Sequence, residues 1–384
     1  VSLESRRSVS TDARNSPMHG NKSGHGSSIP LPPAGPAWFP SVMGTGLLAN
    51  LLHTHAPHLL GAHILSAVVL GIAWVLLIGL TFGFAFRVVR KPSVFSRSIT
   101  DFSQMPFWAT VSMGYLSVGS ASTVVVPSFA PGLLGFVWGL NTGMWVFGTV
   151  VGVCSAFGFA ARLIGVDRGA PTTIWGLAVV GPMVSSTTGA NLVPHVSETL
   201  DPYVQVVSIA CFFLSLFVGS IIFACSYNHQ WRVEPIPVVA SVSAWIPLGV
   251  VGQSTAAAQA MAFQTDHLVL PETQAAMHNL ANLYGWIMLI VGIPLVIFAV
   301  AMTIRGFYLR MPFTPGWWAM TFPLGTLALG ATLFARGTGL SFFTWLGAFG
   351  TVCLVGTVTL CLVTSTRAVI MQSRGGPVTK SSGV

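Results

Sequence analysis

The sequence predicts an all-α membrane protein of ten transmembrane helices, paired as five helical hairpins with the kinked odd-numbered helices inside. Three observations carry this. Hydrophobic residues make up 53% of the 384 and charged residues only 7%, against about 25% charged in soluble domains, and mean hydropathy is +0.75. The apolar runs mostly exceed about 18 residues, the length of a helical span, whereas barrel strands alternate over about ten. In lipid only helices and closed barrels satisfy their own backbone polar groups. Third, the basic residues fall almost wholly on one side of the chain path that these runs imply.

Taken between charges, the runs place spans at 37–53, 62–86, 105–126, 134–161, 172–192, 203–226, 236–263, 280–304, 316–335 and 341–366. The first and fifth are short and rich in Gly, Ser and Thr. Residues 1–36 are polar, with no apolar run of a signal peptide. They and residues 371–384 are expected to be disordered cytoplasmic tails flanking a transmembrane transport domain over 37–370.

Ten spans put both ends of the chain on one side. That side collects sixteen of the seventeen Lys and Arg residues, and only Arg336 lies opposite. The positive-inside rule then makes both termini cytoplasmic, in a multi-pass protein of the plasma (inner) membrane. The net charge of +8 is therefore a signal of topology rather than of nucleic-acid binding. The lipid bilayer, with its anionic headgroups, is the expected partner. A basic inner mouth also concentrates small anions.

Proline separates odd spans from even ones. Pro40, Pro106, Pro182, Pro247 and Pro323 fall in the odd spans, and among even spans only Pro294 is internal. Proline removes a helical hydrogen bond and kinks the helix, so Pro40, Pro182, Pro247 and Pro323 are expected kinks. The odd spans also carry neutral donors, and Thr45, Ser185, Thr187, Gln253 and Ser254 are candidate anion contacts. The same groups serve equally in helix–helix packing. No Asp, Glu, Lys or Arg lies deep in any span, whereas proton-coupled carriers keep an ionisable group there. A neutral path with a basic inner mouth suits passive movement of anions.

Other constellations point to no chemistry. His53, His55, His58 and His63 crowd a short outer turn, which is the simpler reading beside metal ligation. Five cysteines sit in apolar runs without a CxxC, so neither metal nor disulfide is expected. Gly44-Thr45-Gly46 lacks the third glycine and the strand of a dinucleotide fingerprint. No nucleophile–base set appears, so no enzyme and no cofactor is expected. Trp317 and Trp318 read as interfacial anchors.

The ninth span carries the most specific string, Phe313-Thr314-Pro315-Gly316-Trp317-Trp318-Ala319-Met320-Thr321-Phe322-Pro323-Leu324-Gly325. It resembles the tellurite-resistance/dicarboxylate transporter family, which includes slow-type anion channels and malic acid and sulfite permeases. Trp38-Phe39-Pro40-Ser41-Val42-Met43-Gly44-Thr45-Gly46 is similar to the family's opening motif, and Gly252-Gln253-Ser254 after Pro247 to its permease branch. The resemblance implies five hairpins around a pore and a homotrimer. It also implies an aromatic gate at Phe322, with Thr321 beside it as a further pore-lining candidate. It implies transport of small inorganic or dicarboxylate anions, first C4-dicarboxylates such as malate, with sulfite, nitrate or chloride passage or tellurite resistance as alternatives. Leu248-Gly249-Val250-Val251 departs from the expected Gly/Pro-rich run and leaves the substrate open. A membrane scaffold or sensor with a closed pore is the reading from another class.

Overall fold

The computed structural model describes residues 30–166, 169–264 and 269–374. Among these there is no strand. Eleven α-helices follow one another: α1 (Pro40–Thr54), α2 (Ala62–Arg90), α3 (Ser93–Thr100), α4 (Trp108–Phe129), α5 (Leu134–Leu163), α6 (Leu177–Leu192), α7 (Asp201–Arg232), α8 (Ile246–Gln264), α9 (Pro271–Tyr308), α10 (Thr321–Thr338) and α11 (Ser341–Arg374). Eight helical segments are long and apolar enough to cross a membrane. Helices α1 and α6, of 15 and 16 residues, are shorter, and α3 is a surface helix of 8.

The helices form two shells. Helix α1 packs on α4, α4 on α6, α6 on α8, α8 on α10, and α10 returns to α1. Outside this ring α2 lies on α1, α5 on α4 and α6, α7 on α6, α9 on α8, and α11 on α10 and α1. Burial separates the shells: the apolar stretch of Val238–Gln264, containing α8, is 83% buried and that of Pro271–Tyr308 only 11%. The outer helices present Ile, Val, Leu and Phe outward, as a lipid-facing surface requires.

Small residues let the ring close. A side chain at Gly252 on α8 would fall on the backbone of Thr326 and Leu327 of α10, and one at Gly330 would meet the Gly252 carbonyl at 2.7 Å. Glycine at these points brings two helix backbones into direct contact.

Each ring helix opens through a 3-10 segment: Pro36–Trp38, Met105–Phe107, Thr173–Gly176, Val238–Trp245 and Pro315–Met320. These segments pack on one another, so the five ring helices run parallel, with their N-termini together at the end that carries most of the basic residues. Arg87 and Arg305 there donate to the carbonyls of Ala34 and Ile236.

Three of the four prolines expected as kinks stand at the starts of their α-helices. Pro40 is the first residue of α1, Pro247 the second of α8 and Pro323 the third of α10. Each therefore stands where a 3-10 segment passes into its α-helix and not within the α-helical run, a position that proline tolerates. Pro182 lies inside α6, as do Pro127 inside α4 and Pro294 inside α9. Trp317 and Trp318 are also corrected: both are buried, with their ring N–H groups donating to the Pro312 carbonyl at 3.1 Å and to Ser365 Oγ at 3.0 Å. Residues 30–36 lie against the helices through Leu31 N–H to Gln372 Oε1 and Trp38 Nε1–H to the Pro32 carbonyl. Residues 1–29 and 375–384 of the expected tails fall outside the described residues.

Candidate functional site

The ring encloses a cavity of about 280 Å³ toward the C-terminal ends of its five helices. Its wall is polar on every side: Asn50 and Thr54 from α1, Ser117 and Ser120 from α4, Thr187 and Asn191 from α6, Gln253 and Gln264 from α8, and Thr332 and Arg336 from α10. One water claims about 30 Å³ in the liquid, so a small anion fits here together with water. Among the described residues no carboxylate lines the cavity, and Arg336 is the one fixed charge on its wall. His195, in the turn after α6, stacks on Trp138 with ring centroids 3.5 Å apart. Burial lowers its pKa below the ordinary value of 6.5, so the ring is neutral at pH 7.

Phe322 closes the floor. It is 2% exposed and lines both the large cavity and a void of only about 10 Å³ beneath it. The walls of that void are Met43, Met113, Leu177, Val180, Ile246, Gly249 and Ala319 with Phe322 and Pro323. A single water needs about 10–15 Å³, so this segment is at or below the limit for one water, and nothing on its walls would hold it. Below it opens a third cavity of about 230 Å³ among the 3-10 segments, sharing Met43, Leu177, Ile246 and Ala319 with the void. One axis therefore runs from a polar outer chamber through a dry aromatic block to an apolar inner chamber.

Residues 34–366 match the sequence profile of the voltage-dependent anion channel family, SLAC1. The chain belongs to that family. Its relatives include the sulfite efflux pumps SSU1 of Trichophyton rubrum, 25% identical over 328 residues, and of Arthroderma benhamiae, 24% identical over 328; each alignment covers 82% of this chain and 85% of the relative. An uncharacterised transporter of Methanocaldococcus jannaschii is 25% identical over 305 residues, covering 76% of this chain and 80% of the relative. The resemblance drawn from the ninth-span string thus leads to the right superfamily, and the protein is an anion channel or transporter, not an enzyme.

The candidate contacts read from the sequence divide. Thr187 and Gln253 are on the outer cavity wall, where Gln253 Nε2 donates to Thr187 Oγ1 at 2.8 Å across the α6–α8 seam. Thr45, Ser185, Ser254 and Thr321 are on none of the three axial walls. Their hydroxyls donate to helical carbonyls three or four residues earlier: Thr45 to Ser41 at 2.8 Å, Ser185 to Gly181 at 3.3 Å, Ser254 to Val251 at 3.2 Å and Thr321 to Trp318 at 2.8 Å. Such bonds satisfy the hydroxyl within its own helix.

Several wall residues escaped the sequence reading, although a signal existed. Val184, Thr187, Thr188 and Asn191 on α6, and Leu329, Thr332, Leu333 and Arg336 on α10, all line the cavity. Both sets follow i, i+3, i+4, i+7, the spacing of one helix face. His55 also departs from the solvated turn expected of it. It is 1% exposed, with Nε2 2.9 Å from Thr332 Oγ1. Thr332 gives its only hydroxyl proton to the Ala328 carbonyl at 2.7 Å, so His55 is the donor to Thr332. Among the described residues no group of three or more His, Cys, Asp or Glu is placed to hold a metal ion.

Proposed function

We propose that the protein passes small anions down the axis of the five-helix ring, with Phe322 as its gate and both termini in the cytoplasm of a plasma-membrane protein. The observation that carries this is the position of Phe322 between a polar chamber holding one positive charge and a dry void. Ten membrane crossings, by the ring helices and their outer partners, give the axis two ends. The N-termini of the ring helices, each equivalent to about half a positive charge, face the basic end and favour anions arriving from the cytoplasm.

Sulfite, or another small oxyanion, is the substrate best supported, since the SSU1 relatives are sulfite efflux pumps. C4-dicarboxylates such as malate, the first expectation from the sequence, come second, because the outer chamber offers one guanidinium for two carboxylates. Family resemblance adds a homotrimer, for which the exposed outer helices provide the surface; cross-linking in native membranes would reveal it.

The test is flux from proteoliposomes loaded with sulfite, nitrate, chloride or malate, for the wild type and for Phe322→Ala. The expected result is selective anion flux that rises in the variant. No flux of any of these anions from folded protein of either kind would leave a non-conducting scaffold as the reading.

A further inference from the structure

We infer that Arg336 forms an outer binding site for a small oxyanion at the mouth of the chamber. The inference rests on the reading of the axis as an anion path and adds a site to it. Four observations converge. Arg336 lines the chamber, is exposed, and has no hydrogen-bond or ion-pair partner among the described residues. It stands one helical turn beyond Thr332, the residue that His55 clamps to α1, so its backbone is held at the α1–α10 seam. Among the described residues no acid shares the wall, while Asn50, Thr54, Asn191 and Gln264 supply amide and hydroxyl groups from the other ring helices.

The fourth observation is electrostatic. The C-terminal halves of all five ring helices border this chamber, through Thr54 of α1, Val124 of α4, Asn191 of α6, Gln264 of α8 and Arg336 of α10. Each helix end carries about half a negative charge. Without a cation the outer mouth would repel the ions that the inner mouth attracts. Arg336, otherwise the exception in a chain whose basic residues crowd the opposite end, supplies the opposing charge where it is needed. A guanidinium presents parallel N–H donors in a planar fork that matches two oxygens of one anion. The site therefore favours oxyanions over halides, and the surrounding amides complete the hydrogen bonds of an anion that has shed part of its water.

The test uses the full chain in detergent at pH 8. Nitrate, sulfate and chloride are titrated calorimetrically into the wild type, Arg336→Lys and Arg336→Gln. Wild type is expected to bind the oxyanions more tightly than chloride. Arg336→Gln should weaken oxyanion binding about tenfold or more, as expected for losing a unit charge at contact distance. Arg336→Lys should keep the attraction but narrow the preference over chloride. Equal oxyanion affinity in wild type and Arg336→Gln would overturn the site, even if all three proteins conduct. Arg336-dependent binding in a protein that carries no flux would uphold the site and defeat the channel reading instead.

Discussion

Replacing Phe322 by alanine should open the axis, and the size of the effect follows from what the ring separates. Above it lies a chamber of about 280 Å³ and below it a void of about 10 Å³ walled by Met, Leu, Val and Ile. An anion forced through a dry segment loses hydration at an effective cost of several kcal/mol. Relief of about 4 kcal/mol corresponds to a roughly thousandfold rise in flux, at about 1.4 kcal/mol per factor of ten. Stability should respond less than in an ordinary core. A buried Phe→Ala change costs about 3–5 kcal/mol, part of it for an empty cavity. Here the space vacated joins the wet outer chamber and fills with water, so the loss should fall at the low end of that range. Anion currents in planar bilayers, recorded beside thermal melting in detergent, measure both quantities. A series from Phe322 through Leu and Val to Ala should raise conductance stepwise. A series that lowers melting temperature as a closed core would, with conductance flat, would refute the gate and return Phe322 to packing.

Further outcomes follow from single contacts. Gly252→Ala sets a methyl group on the backbone of Thr326 and Leu327, which cannot move aside as a side chain would; overpacking of this kind costs about 1–3 kcal/mol, and a clear drop in melting temperature is expected. Thr187→Val removes the acceptor of the Gln253 amide, so it should cost about 1–3 kcal/mol for the unpaired donor and change relative permeabilities; unchanged ratios would make the pair purely structural. His55 has its pKa lowered first by burial and then by His58 and Arg336. Its neutral form is the stable one, so its contribution is complete above the unfolded value of about 6.5 and is lost as pH falls through the lower folded value. Melting temperature should therefore decline on acidification below that point, and less steeply in His55→Gln.

Much of the architecture was legible in the sequence because lipid imposes a coarse rule on it. Apolar runs between charges located the long helices to within several residues. The inner helices were displaced at their starts, since residues such as Val238–Trp245 and Pro315–Met320 are apolar but 3-10. Phe322 was singled out as a gate candidate by a family string, not by its chemistry, because a buried aromatic in a membrane helix is ordinary. The chamber wall was harder. A threonine that bonds its own helix, such as Thr45, and one that faces a cavity, such as Thr187, are the same letter in a similar context. Only the rotation of each helix in the ring distinguishes them. Arg336 was visible as the odd charge in the topology, yet its role depends on which face of α10 turns inward.

The contact between α1 and α10 has a consequence for biogenesis. Ribosomes deliver the first four ring helices long before the fifth, and N-terminal elements assemble first. Until α10 emerges, the partial ring is an open crescent, with Gly44 of α1 and Gly252 of α8, which meet α10 in the finished ring, on edges that no partner yet covers. The helix that completes the circle is also the one that brings Phe322, so with Phe322 as the proposed gate the conduit would acquire its stopper in the same step that gives it a continuous wall. On that proposal a membrane making this protein would never be exposed to a finished but unplugged tube, and a chain truncated before α10 should be degraded as an orphan rather than leak.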